Sequence, residues 1–143
     1  KSELYQIPYK NMVRNMFHMP DQTSFDMLYD NLKAQETISF WSTSFLRGTT
    51  LDDAIIIVDE CQNLNFHELD SIMTRVGQDS KIVFCGDVNQ SDLVKTNERN
   101  GILDFQRILQ NMDEFSEIEF GVGDIVRSGL VKSYLISKMS LGL

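Results

Sequence analysis

The sequence predicts an α/β fold with a largely parallel sheet, and three observations predict it. The run Ala54-Ile55-Ile56-Ile57-Val58 is apolar, short and mostly β-branched, and it opens directly onto Asp59, Glu60, Cys61, Gln62 and Asn63. A second stretch repeats the design: Lys81-Ile82-Val83-Phe84-Cys85 leads into Gly86-Asp87-Val88-Asn89-Gln90-Ser91-Asp92. Between and around these runs the apolar residues recur at helical spacing. Short continuous apolar runs fit strands buried on both faces, and strands alternating with helices argue for parallel pairing.

Taken in order, Tyr9, Met12, Val13, Met16 and Phe17 follow Pro8 at i, i+3, i+4 spacing, which predicts a helix over about residues 8–18, stopped by Pro20. Thr23 and Asp26 form a candidate capping box for a second helix, which carries Phe25, Leu28, Tyr29 and Leu32 on one face. Ile38 to Trp41 is a strand candidate, and Ser42 to Thr50 reads as loop before the central strand. Beyond the acidic turn, Asn65 and Glu68 have N-cap and N3 spacing. Phe66, Leu69, Ile72, Met73 and Val76 then form the stripe of a helix ending at Gly77. After the strand Ile82–Cys85, a polar loop from Asn89 to Asn100 ends in an Asn100-Gly101 turn. The next helix bears Ile102, Phe105, Ile108, Leu109 and Met112. Ile118 and Phe120 indicate a last short strand, and Val126 to Met139 a closing helix interrupted at Ser128-Gly129. His18 and His67 read as helix-end and surface residues.

A chain of 143 residues that is 42% hydrophobic and 24% charged is long enough for one domain with a sizeable core. No apolar run approaches the length of a membrane span, and Lys1-Ser2-Glu3-Leu4 does not open a signal peptide. A net charge of −8 opposes binding along a phosphate backbone unless the basic groups are concentrated in one place. The two cysteines, Cys61 and Cys85, read as reduced, partly buried thiols of a cytoplasmic protein.

The chemistry gathers at the strand ends. In parallel sheets ligands bind beyond the carboxyl ends of the strands, where Asp59 and Glu60 stand. An aspartate there can hold Mg²⁺ through its waters, and a glutamate one residue later can orient and deprotonate an attacking water. An amide on the loop after the neighbouring strand, Gln90, can bond a γ-phosphate and its attacking water and lose those bonds on hydrolysis. The two loops together are more specific than either alone.

The stretches Phe45-Leu46-Arg47-Gly48-Thr49-Thr50-Leu51-Asp52-Asp53-Ala54-Ile55-Ile56-Ile57-Val58-Asp59-Glu60-Cys61-Gln62-Asn63, Thr74-Arg75-Val76-Gly77 and Gly86-Asp87-Val88-Asn89-Gln90-Ser91-Asp92-Leu93 resemble the PhoH-like family of P-loop ATPases, relatives of superfamily 1 helicases. Asp124-Ile125-Val126-Arg127-Ser128-Gly129-Leu130-Val131 is similar to the family's C-terminal Asp-Val-Val-Arg-His-Pro-Leu-Val element, with Ser-Gly in place of His-Pro. The resemblance covers roughly residues 25–138, and the flavour of the sequence is similar to the short, stand-alone members of tailed phages. It implies a RecA-like, three-layer αβα frame, ATP and Mg²⁺ as cofactors, and the cytoplasm of a bacterium or phage-infected host. It further implies Asp59 as the Mg²⁺ ligand at a Walker B-type strand end, Glu60 as catalytic base, and Gln90 with Asp87 as the sensor loop. Gln62, Arg75 and Arg47 join the nucleotide or subunit-interface contacts, and Arg127 is the preferred γ-phosphate or finger arginine. For each arginine an exposed salt bridge is an equally strong reading. Partners implied are ATP, a nucleic acid with RNA preferred, and a second copy in a homo-oligomer.

One family feature is missing from the sequence. The phosphate-cradling Gly-x-x-x-x-Gly-Lys-Ser/Thr string does not occur, and no Gly-Lys pair exists anywhere. With Lys1 in place of an initiator Met, residues 1–143 are expected to be one partial domain, the C-terminal portion of a longer ATPase. The strand before the phosphate loop would be absent and the isolated chain slow or inactive on ATP. Two alternatives belong to other classes. One is a metal-dependent nuclease using Asp59, Glu60, Asp87 and Asp92 around two cations. The other is a non-catalytic interaction module derived from an ATPase.

Overall fold

A computed structural model describes residues 4–43, 48–87 and 96–142. The fold is mixed α/β around a parallel two-stranded sheet. Helices α1 (Ile7–Phe17) and α2 (Gln22–Ala34) precede β1 (Ile55–Val58). Helix α3 (Phe66–Met73) crosses to β2 (Lys81–Phe84), and α4 (Thr96–Gln110) and α5 (Gly129–Ser140) follow. The chain divides into two compact units, Lys1–Asp59 with His67–Cys85, and Glu60–Phe66 with Gly86–Leu143.

In the first unit, α1 starts with Pro8 in its first turn and ends at His18, whose left-handed backbone (φ 49°) lets its N–H reach the Arg14 carbonyl. Helix α2 is capped by Asp21, whose Oδ1 accepts from the Ser24 N–H at 2.8 Å. The expected Thr23 cap is therefore corrected: a carboxylate directly after Pro20 reaches the third helical N–H, and Thr23 becomes an internal residue. Phe25 and Tyr29 are almost fully buried, as their spacing predicts. The α1 stripe is not, since Met12, Met16 and Phe17 lie exposed.

The strand expected at Ile38–Trp41 is absent. The Thr37 and Ile38 N–H groups both turn back to the Leu32 carbonyl, at 2.9 and 3.2 Å. Glu36 turns the chain with a left-handed φ of 55°. The segment spends its donors closing α2.

The β1–α3–β2 crossover follows the sequence pattern. Ile55 to Val58 pair in parallel with Lys81 to Phe84, residue by residue, so the two carboxyl-end tips lie side by side. The approaches to the strands are bonded as well. The Leu51 N–H donates to the Arg75 carbonyl and the Gly77 N–H to the Leu51 carbonyl, each at 2.8 Å, and Asp52 Oδ1 accepts from the Gln78 N–H at 2.7 Å. Gly77 permits this closeness, for a Cβ there would stand 1.9 Å from Asp52 Oδ1. Val76 accordingly belongs to a bridge with Leu51, and α3 ends at Met73, before the Val76 and Gly77 stop that the spacing suggested. Asn65 and Glu68 do occupy the cap and third positions of α3, and Leu69 and Ile72 are buried.

Burial of β1 on both faces is not observed. Val58 is 8% exposed, whereas Ile55 is 76% and Ile57 66% exposed, and Val83, the partner of Ile57, is 48% exposed. Side chains alternate along a strand, so one face of the pair is covered and the other is open among the described residues.

In the second unit, α4 packs against the Cys61–Asn63 turn, and Ile102 and Phe105 are buried. The Asn100-Gly101 step lies inside α4 and makes no turn. Gly101 serves packing there, because a Cβ would meet the Phe66 backbone nitrogen at 2.9 Å. Ile108, counted in the stripe, is 47% exposed. The strand expected at Ile118–Phe120 is also absent, with both residues nearly fully exposed. This segment is held to α4 by side chains, as Glu117 accepts from the Gln106 and Gln110 amides. Finally, Ser128-Gly129 opens α5: Ser128 is its N-cap, its carbonyl accepts from the Lys132 N–H at 2.9 Å, and Val126 stands outside, 94% exposed. No helix among the described residues is long and apolar enough to cross a membrane.

Candidate functional site: the acidic end of the first strand

In the first unit, β1 ends at Val58 and Asp59 follows it, exposed, beside the carboxyl-end tip of β2. Its Oδ2 accepts a hydrogen bond from the Tyr9 hydroxyl at 2.5 Å, across 50 residues of sequence. Such a short O–H···O⁻ contact is charge-assisted. Helix α1 supplies the tyrosine, and the Tyr9 ring is itself seated on Phe40, with centroids 5.8 Å apart at 53°. Sequence reasoning placed Tyr9 in an apolar stripe and missed this role. Its hydroxyl, at the edge of a half-exposed helix, was the only signal available.

In the second unit the chain turns at Glu60, whose left-handed backbone (φ 52°) is a strained setting for a side chain with a Cβ. The turn Cys61–Asn63 follows, with Cys61 and Gln62 buried. Gln62, 3% exposed, uses both ends of its amide. Nε2 donates to Glu60 Oε2 at 2.6 Å, and Oε1 accepts from the Asp87 N–H at 3.2 Å. A buried amide that satisfies donor and acceptor in this way ties the acidic turn to the loop after β2. Gly86 makes room for it: a Cβ there would lie 2.3 Å from Gln62 Oε1 and 2.8 Å from Cys61 Sγ. Cys61 and Cys85 form no disulfide.

The arginines differ. Arg75 is half-buried, and its Nε finds no hydrogen-bond partner among the described residues. Arg127 is exposed just before the Ser128 cap of α5. Arg47, Gln90 and Asp92 lie outside the described residues. Among the described residues no three His, Cys, Asp or Glu side chains gather into a metal-binding group. Asp92, one of the four carboxylates of the nuclease alternative, lies outside that set.

A family model described as PhoH-like protein matches residues 3–137. A PhoH-like protein of Bacillus subtilis (strain 168) is 36% identical over 115 residues, covering 75% of this chain and 36% of that protein. A PhoH-like protein of Mycobacterium leprae (strain TN) is also 36% identical over 115 residues, covering 75% of this chain and 33% of its own length. Protein PhoH of Escherichia coli (strain K12) is 29% identical over 92 residues, 64% of this chain and 26% of that protein. The chain thus spans about a third of the length of the curated relatives it matches. Because the family match runs from α1 through the strand-end acids and into α5, the chain belongs to the PhoH-like protein family.

Proposed function

We propose that this chain carries the magnesium- and water-directing part of a PhoH-type ATP-hydrolysing site, on a RecA-like P-loop frame. The observation that carries the reading is the Gln62 amide, which fixes the Glu60 carboxylate at 2.6 Å while bonding the backbone of Asp87. A carboxylate held this way, one residue beyond a parallel strand, suits a base whose geometry must be set before the reaction.

The donor chemistry fits Mg²⁺. Asp59 offers carboxylate oxygens, and this cation takes one or two carboxylates, several waters and nucleotide phosphates. When bound, Mg²⁺ supplies charge neutralisation to the phosphates. Asp59 would hold the ion through its waters, and Glu60 would orient the attacking water and accept its proton. Gln62 keeps the Glu60 carboxylate in place. Asp87 and Gln90 form the loop that senses the γ-phosphate, and Arg127 offers its guanidinium to phosphate oxygens, with Arg75 and Arg47 as further phosphate or subunit contacts. The cradle for the phosphates themselves is not assigned to these residues, which contain no Gly-Lys pair.

The test is ATP hydrolysis by the whole reading frame that contains this chain. We expect Mg²⁺-dependent turnover that Glu60→Gln lowers by roughly 10²–10⁴-fold. Turnover unchanged in that variant would remove Glu60 from the chemistry. If the whole reading frame has no phosphate loop and binds no ATP, the assembly-module reading takes over. The open apolar face of Ile55, Ile57 and Val83 favours that second reading. A nucleic-acid partner, RNA in preference, is supported by one local feature: Phe40 and Trp41 line a cleft of about 410 Å³ with Lys33 and Gln6. Exposed aromatic faces beside a cation are what single strands stack upon.

A further inference from the structure

We propose that Tyr9 is the positioning residue for the cation-holding carboxylate, so that helix α1 sets how well Asp59 takes a divalent ion. The inference rests on the reading of Asp59 as the Mg²⁺ ligand, and goes beyond it by assigning the group that aims this side chain. Three facts support it. The Tyr9 hydroxyl donates to Asp59 Oδ2 at 2.5 Å, the geometry of a strong hydrogen bond to a charged acceptor. The ring is braced by Phe40 at 5.8 Å, so the hydroxyl is delivered from a packed position. Helix α1 is in turn held to α2 by the Lys10–Asp26 ion pair at 2.8 Å, with Lys10 Nζ 5.2 Å from the centre of the buried Tyr29 ring. A ligating carboxylate already held in one rotamer loses less entropy when an ion binds than one that must be ordered by the ion.

Hydrogen bonds of this kind, to a side chain that ligates a metal, are worth about 10–100-fold in metal affinity. The test uses Mn²⁺ as the probe, followed by water-proton relaxation on the 143-residue chain and on Tyr9→Phe, Asp59→Asn and the double variant. Tyr9→Phe keeps the ring against Phe40 and removes only the hydroxyl. We expect Asp59→Asn to abolish one Mn²⁺ site and Tyr9→Phe to weaken that same site about tenfold, with no further loss in the double variant. A spectroscopic signature separates positioning from mere folding. With ¹³Cζ-labelled tyrosine, the Tyr9 resonance should shift in Asp59→Asn and should be the first of the tyrosine signals that Mn²⁺ broadens. If Asp59→Asn leaves Mn²⁺ binding intact, the metal reading of Asp59 fails. If Asp59→Asn abolishes the site but Tyr9→Phe binds Mn²⁺ as tightly as the parent, the metal reading stands and the role of Tyr9 is overturned. Should Tyr9→Phe not fold, a ¹³Cζ resonance that ignores both Asp59→Asn and Mn²⁺ overturns it equally.

Discussion

At the scale of single residues, two glycines and one glutamine hold the loops that carry the acids. Gly77 lets the segment before β2 close on Asp52, and Gly86 leaves the space that the Gln62 carbonyl occupies. Each acts by having no Cβ where a polar atom must approach, which is a different use from a glycine in a left-handed turn. We expect Gly86→Ala to displace Gln62 and break its bonds to Glu60 and Asp87. The cost is about 1–3 kcal/mol of stability, from overpacking and from leaving a buried amide unsatisfied. Chemical denaturation of the two proteins side by side measures it, and a midpoint within error of the parent would show that the loop relaxes freely. In the sequence Gly77 read only as a helix end and Gly86 only as part of the stretch after the second strand. Their contacts come from residues 24 or 25 positions away, which no local pattern encodes.

At the scale of elements, helices were read well where one residue type decides the matter and strands poorly where pairing does. The α1 span, the buried face of α2, the α3 start and the β1–β2 pair follow from spacing, whereas the α2 cap fell two residues before the one expected. Ile38–Trp41 and Ile118–Phe120 have strand composition without a partner strand among the described residues. β-propensity reflects a pleated surface that must exist elsewhere before a segment can use it. The Asp21 cap carries a pH prediction. The Ser24 backbone N–H holds the Asp21 carboxyl below its ordinary value of 3.8, and Lys10 does the same for Asp26 through their side-chain bond. Carboxylates lowered on folding contribute stability that is fully present above the unfolded value and is lost as pH falls through the folded one. The α1–α2 pair should therefore loosen below about pH 4, and Asp21→Ala should flatten part of that acid limb. Circular-dichroism melts between about pH 6 and pH 3 follow it, and an acid limb identical in the variant would count against the cap.

At the scale of the whole chain, charge and exposed apolar surface set the terms for partners. A net charge of −8 repels a nucleic-acid backbone at long range, while the Phe40–Trp41 cleft, lined by Glu36 as well as Lys33, offers short-range stacking. RNA held this way should bind through its bases and show a shallow salt dependence, since few phosphates are neutralised. Trp41 is the only tryptophan, so quenching of its fluorescence by a single-stranded RNA oligonucleotide reports the contact directly. Trp41→Ala should then cost about 1–3 kcal/mol of affinity. Absence of quenching at millimolar oligonucleotide would withdraw the RNA reading. The open face of Ile55, Ile57 and Val83, and the exposure of Leu130, Tyr134 and Met139 on α5, are surfaces an apolar neighbour would cover.

By itself the sequence determined the α/β class, the parallel crossover, the acids at the end of β1 and the family resemblance. All of these rest on local periodicity and on short strings whose chemistry is carried by adjacent residues. Only the tertiary structure decided that Tyr9 meets Asp59, that Gln62 joins Glu60 to Asp87, and that one face of the sheet stands open among the described residues. Those outcomes depend on which distant segments the chain brings together, and hydrogen bonds across 25 or 50 residues leave no trace in the spacing of the residues that make them.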